Sequence, residues 1–153
     1  MMHSSPLDEP LRVLPFIFGA LLVGMLSFGV VAIVMAGREA VFSLEQDQPF
    51  QIVTALLLAG SVPVSLLMYQ TLMKKAQGLS DADRAERAYL TACIVRWALL
   101  EGPALFCSVA VLLTRNLVFL VPLAVLLLFF LAAYPSRVRF EAFAGQGGGA
   151  RLL

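Results

Sequence analysis

The chain has 153 residues, 60% of them apolar and only 14% charged, with a mean hydropathy of +0.89. Soluble domains run nearer roughly half apolar and about one-quarter charged, so a disordered chain, a collagen-like repeat and an ordinary water-soluble enzyme are excluded. Eleven Lys+Arg against ten Asp+Glu leave a formal charge of +1, too weak a field to attract nucleic acid. A membrane protein remains.

Four apolar runs follow in chain order: Val13–Ala36, Phe50–Met73, Tyr89–Leu113 and Leu117–Tyr134. About 20 helical residues cross roughly 30 Å of hydrocarbon, and none of the runs alternates as barrel strands do. The expectation is an all-α integral membrane four-helix bundle of up-down topology. It forms one domain over residues 1–144, with a glycine-rich, flexible tail over 145–153. The first run is too long for a signal-peptide core and no small-residue cleavage site follows it, so it is expected to stay on the mature protein.

Arg12, Lys74, Lys75, Arg84, Arg87, Arg137, Arg139 and Arg151 flank one side of these runs, and Arg38 and Arg115 the other. The positive-inside bias therefore places both termini and the central loop in the cytoplasm, for a multi-pass protein of a bacterial inner membrane.

In the first run Pro15 suits a first helical turn. Ala20, Gly24 and Ser27 share one face with Gly19 and Gly29 nearby, a pattern that lets helices pack closely in lipid. Asp47-Gln48-Pro49 resembles a helix start. The second run then carries Thr54, Ser61, Ser65, Tyr69 and Gln70, the richest neutral polar set, and is expected to be interior. Ser80-Asp81-Ala82-Asp83 resembles a capping box, which would start the third helix well before the membrane. Thr114-Arg115-Asn116 allows only a tight turn, so the last two helices are antiparallel neighbours. The fourth run, almost wholly Leu, Val, Phe and Ala, suits a lipid-facing position.

Cys93 and Cys107 stand fourteen residues apart, roughly 21 Å along a helix, beyond disulfide reach. The single histidine, His3, lies in the polar leader, so no metal site or other cofactor site is expected. Both thiols read as small packing groups.

Glu101 sits at the centre of the third run, where a carboxylate costs roughly 2.5–3.5 kcal/mol or more and the neutral acid is favoured. It is the candidate ion-binding residue, with Arg96, Ser61, Pro63, Gly102 and Pro103 as supporting candidates. Three readings stay open: an exchanging carboxyl, a protonated Glu bonded to a neighbouring helix, and an ion pair with Arg96. Arg96 and Glu101 are five residues apart, about 140° round a helix, and so share no face. Pro103 should kink the third helix and Gly102 lets another backbone near. Pro63 interrupts the second helix just after Gly60 and Ser61. Paired broken helices at the midplane build ion sites in some transporters, and simple packing kinks are the alternative. No nucleophile–base pair, Cys/His set or phosphate loop accompanies them, so no enzyme is expected.

Ala98-Leu99-Leu100-Glu101-Gly102-Pro103-Ala104-Leu105-Phe106 resembles the proton-carrying helix of the c subunit of F-type ATP synthases. That resemblance implies an ion-carrying Glu101. It covers nine residues; the preceding helix holds only Gly60 where that family has a glycine repeat. The second half of the chain, with Arg96 to Phe106, Thr114-Arg115-Asn116 and Tyr134-Pro135-Ser136-Arg137, is similar to small uncharacterised bacterial four-span membrane proteins, a group that implies no activity. Two functions are thus expected to compete. One is a non-enzymatic structural or accessory subunit, partnered by the lipid bilayer and by further copies or a larger membrane complex. The other is a proton- or ion-translocating protein using Glu101.

Overall fold

A computed structural model describes residues 8–77 and 82–134. The protein is an all-α four-helix bundle: α1 (Asp8–Ala36), a 3-10 turn (Gly37–Glu39), α2 (Gln48–Gln77), α3 (Ala82–Thr114), a second 3-10 turn (Leu117–Phe119) and α4 (Leu120–Ala132). Three helices are long and apolar enough to cross a membrane, over Val13–Glu39, Gln48–Lys75 and Arg87–Thr114. The fourth apolar segment is shorter than its expected span. Leu117–Ala132 reaches roughly 24 Å, against about 30 Å of hydrocarbon.

Side-chain contacts fix the helix directions. Phe18 meets Trp97 (ring centroids 5.4 Å) and Gly29 lies beside Ser108, so α1 and α3 run parallel with one constant offset. Phe50 stacks near Phe106 at 6.5 Å and Arg96 lies over Tyr69, so α2 runs antiparallel to α3. Trp97 meets Phe130, and Leu123 lies at the level of Gly29, so α4 also opposes α3. The topology is up-down-up-down.

The helix at the centre is α3, which packs against all three others, whereas α1 and α2 barely touch. Within their apolar stretches 39% of α3 is buried, 22% of α1 and 11% of α2. The expectation that α2 is interior is therefore overturned. Only one narrow stripe of it turns inward: Thr54 and Ser65 are buried, Ser65 donating to the Val62 carbonyl at 2.8 Å, while the exposed Thr71 donates to that of Leu67 at 2.8 Å and most of the apolar positions stay outside. The buried positions of α3 are mostly small, namely Ala92, Cys93, Ala104, Cys107, Ser108 and Ala110. Small residues let neighbouring backbones close in where lipid supplies no hydrophobic drive for association. Cys93 and Cys107 are both free and buried.

Other local expectations are also corrected. Ala20, Gly24 and Ser27 face out of the bundle; the glycine that packs is Gly29, where an added Cβ would stand 3.3 Å from the Leu123 side chain. Helix α4 is half embedded, burying Leu123, Leu126 and Phe130 and exposing Val121, Leu128 and Leu131. Because α1 starts at Asp8, Pro15 lies inside the helix and not in its first turn. Helices α2 and α3 run unbroken through Pro63 and Pro103, and α3 does begin before its apolar stretch. Ser80, Asp81, the glycine-rich tail and the basic residues beyond Tyr134 lie outside the described residues.

At one end the α1–α2 loop is fastened to the α3–α4 turn. Val41 donates to the Arg115 carbonyl at 3.0 Å, and Leu117 donates to that of Val41 at 2.7 Å. The fastener is Asn116, fully buried. Its Oδ1 accepts from the N–H of Ser43 (3.2 Å) and of Val118 (3.1 Å), while its Nδ2 donates to the Ser43 carbonyl (2.8 Å) and to Asp47 Oδ2 (3.3 Å). All four bonds open to an amide side chain are made. Asp47 thus gives its carboxylate to Asn116 while standing just before α2. Positive φ at Asp47 (60°) and Arg115 (55°) makes the tight reversals on either side.

Candidate functional site

The features that need a purpose in a bilayer lie along α3. Its apolar stretch begins at Arg87 and ends at Thr114, so Glu101 falls at its middle. The side chain is partly buried and makes no hydrogen bond or ion pair among the described residues. Its direction follows from its neighbours. Trp97, one turn earlier, packs on Phe18 of α1, and Ser108, two turns later, lies beside Gly29 of α1. Glu101 stands between them on the same stripe, so its carboxyl points to the flank of α3 beside α1.

That placement separates it from α2. The Arg96–Tyr69 and Phe106–Phe50 contacts put Ala59 and Gly60 level with Glu101, and Ser61 within about one turn of it. However, Arg96 and Phe106 both face α2, and Glu101, five residues from either, stands about 140° round the helix from each. The structure brings Ser61 and Glu101 close in level but not to one face. Ser61 Oγ is buried without a hydrogen-bond partner, as is Thr54 Oγ1. Pro63 and Gly102 are exposed, and Pro103 is partly buried.

Arg96 does not pair with Glu101. Its guanidinium carbon lies 5.0 Å from the centre of the Tyr69 ring, a cation–π contact between α2 and α3. Arg96 also lines a small cleft with Tyr69, Tyr89, Cys93, Trp97, Ala133 and Tyr134. The wall behind it is rigid. Trp97 donates its indole N–H to the Ala133 carbonyl at 3.1 Å, closing the end of α4. Phe18 stacks on Phe130 at 4.7 Å and meets Tyr134 edge-on at 5.3 Å. Trp97 is therefore a core residue, fully buried despite its depth.

The sequence alone missed two residues. Asn116 stands out only once the loop 73 positions away is in place. Tyr69 counted as one polar residue among several, and its spacing from Arg96 carries no local signal. Chemically, the site offers one carboxyl at mid-membrane on an outer flank and one cation at the mouth of an aromatic cleft. No group of three or more His, Cys, Asp or Glu residues that could hold a metal ion occurs among the described residues.

No protein-family model matches the chain, and no curated protein or solved structure is significantly similar to it.

Proposed function

We propose that this is a small non-enzymatic membrane protein, a structural or accessory subunit whose mid-membrane Glu101 is completed by a group from outside the chain. The observation that carries this reading is the carboxyl on the α1 flank of α3, partly buried and without an internal partner among the described residues. A carboxyl in hydrocarbon is costly unless hydrogen-bonded or paired. A polar or cationic side chain of a second helix, from another copy or from a larger complex, meets that need. The basic residues that flank one end put that end, with both termini and the α2–α3 connection, in the cytoplasm of a bacterial cell.

The competing use of the same carboxyl is proton or ion exchange, and one experiment separates the two. Proteoliposomes holding the purified protein are given a pH step and their internal pH is followed. In parallel, a hydrophobic carbodiimide is applied to native membranes and to the purified protein. The accessory-subunit reading expects proton flux no faster than in empty vesicles. It also expects Glu101 to be shielded in native membranes and to become reactive after purification. Flux that Glu101→Gln abolishes overturns this reading and installs the ion-translocating one.

A further inference from the structure

The helix at the centre of the bundle is also open on one side. Helix α3 packs against α1, α2 and α4, but α1 and α2 barely touch, and the sector of α3 between them is uncovered. Thr91, Ile94, Ala98 and Gly102 are exposed there, and Glu101 and Leu105 are only partly buried. Thr91, Ile94, Ala98, Glu101 and Leu105 follow one another at steps of three, four, three and four, the spacing of a coiled-coil seam. The next step along it, Ser108, is fully buried, because α1 closes over the helix at Gly29. The open seam therefore runs for about four turns and carries the mid-membrane carboxyl.

Complementarity at Glu101 selects what covers the seam. A Cβ added at Gly102 would meet nothing within 4 Å, and Ala98 is nearly as small, so a partner backbone can come close beside the carboxyl. A second copy brings no cation to this side: Arg96, the one cation set well inside the spans among the described residues, faces α2 over the Tyr69 ring, about 140° round the helix from Glu101. It brings the same carboxyl. A carboxylic acid is its own complement, with one O–H to donate and an oxygen to accept, so two of them satisfy each other. Copies inserted in one orientation set their α3 helices parallel. A two-fold axis along the membrane normal then pairs the seam with itself, position by position, and places Glu101 against Glu101 at one depth.

Resting on the reading that Glu101 is completed from outside the chain, we propose that the completing group is the Glu101 of a second copy, and that the open seam of α3 is a homodimer interface. Purification into excess micelles dilutes the pair apart, which unshields the carboxyl. The test places the full chain, labelled with donor or acceptor dye at its N-terminus, in liposomes of falling protein-to-lipid ratio and reads pairing by energy transfer. Pairing should saturate at two copies and be lost on dilution. Glu101→Leu, which suits lipid better and so still inserts, should need about tenfold more protein for half-pairing. Glu101→Gln, whose amide both donates and accepts, should stay within about threefold of the parent. Ala98→Cys should cross-link between copies under mild oxidation, whereas Leu128→Cys, exposed on α4, and the parent with its two buried thiols should not. Energy transfer no higher than random mixing at every ratio, pairing of Glu101→Leu as tight as the parent's, or cross-linking at Leu128→Cys equal to that at Ala98→Cys would each overturn the proposal. After the first of these, carbodiimide on native membranes separates the causes. A shielded Glu101 keeps the accessory-subunit reading and assigns the carboxyl to a different protein, and a reactive one removes both.

Discussion

Replacing Asn116 by alanine should cost far more than its place in a loop suggests. The change removes four hydrogen bonds between an amide and two chain segments 73 positions apart. Val118 is buried, so its N–H loses an acceptor that water cannot replace, at about 1–3 kcal/mol. Ser43 and Asp47 are only partly buried, and rehydration returns some of what they lose. The expected destabilisation is about 2–4 kcal/mol, against about 0.5 kcal/mol for an ordinary surface change. Asn116→Asp sharpens the reasoning. It keeps acceptors for both N–H groups but loses both donors and sets a carboxylate against Asp47. Like charges favour the protonated acid in the fold, so this variant's deficit should shrink as pH falls through about 4, the carboxylate range. Reversible unfolding in mixed micelles gives the stabilities, and amide exchange at Ser43 and Val118 gives the local effect. An alanine variant within about 0.5 kcal/mol of the parent, with both amides still protected, would refute the role assigned to Asn116.

Trp97→Phe retains an aromatic ring and drops the indole bond to the Ala133 carbonyl, so it should cost about 1–2 kcal/mol, whereas Trp97→Ala should cost about 3–5 kcal/mol; both are read by the same unfolding assay. Gly29→Leu drives a side chain into Leu123 and should destabilise by about 1–3 kcal/mol; Gly24→Leu, on the outward face, should fall within about 0.5 kcal/mol of the parent. The Arg115–Glu39 ion pair joins side chains 52% and 76% exposed, so Glu39→Gln should change stability by about 1 kcal/mol or less, an effect that fades with added salt.

Hydropathy located the four helices because lipid and protein interior are both apolar, and for the same reason it could not rank them by burial. Helix α2 was expected inside for its hydroxyls, yet only the stripe that carries Thr54 and Ser65 is buried, and Ile52, Leu56, Val64 and Leu67 face outward. The deciding trait was side-chain size along α3, where Ala92, Ala104, Ser108 and Ala110 let the other helices close in. The small residues of α1 looked equivalent to one another. Of the five between Gly19 and Gly29 only Gly29 packs closely on a neighbour, Ala20, Gly24 and Ser27 facing outward, while further along Ala32 and Ala36 are buried. For Glu101, depth was legible from its place in the run. Its direction was not, since that depends on which sides of α3 the other helices occupy. Asn116 looked like a turn residue because its partners belong to a loop distant in sequence.

The scant contact between α1 and α2 bears on how the protein is made. These two helices leave the ribosome first, joined by a loop whose fastening residue, Asn116, has not yet been synthesised. Each must persist in the bilayer as an independent span, held by lipid alone, until α3 arrives to receive both. Assembly is therefore all but deferred to the third insertion event, and a chain truncated before α3 should yield two membrane-inserted helices with no fixed relation to each other.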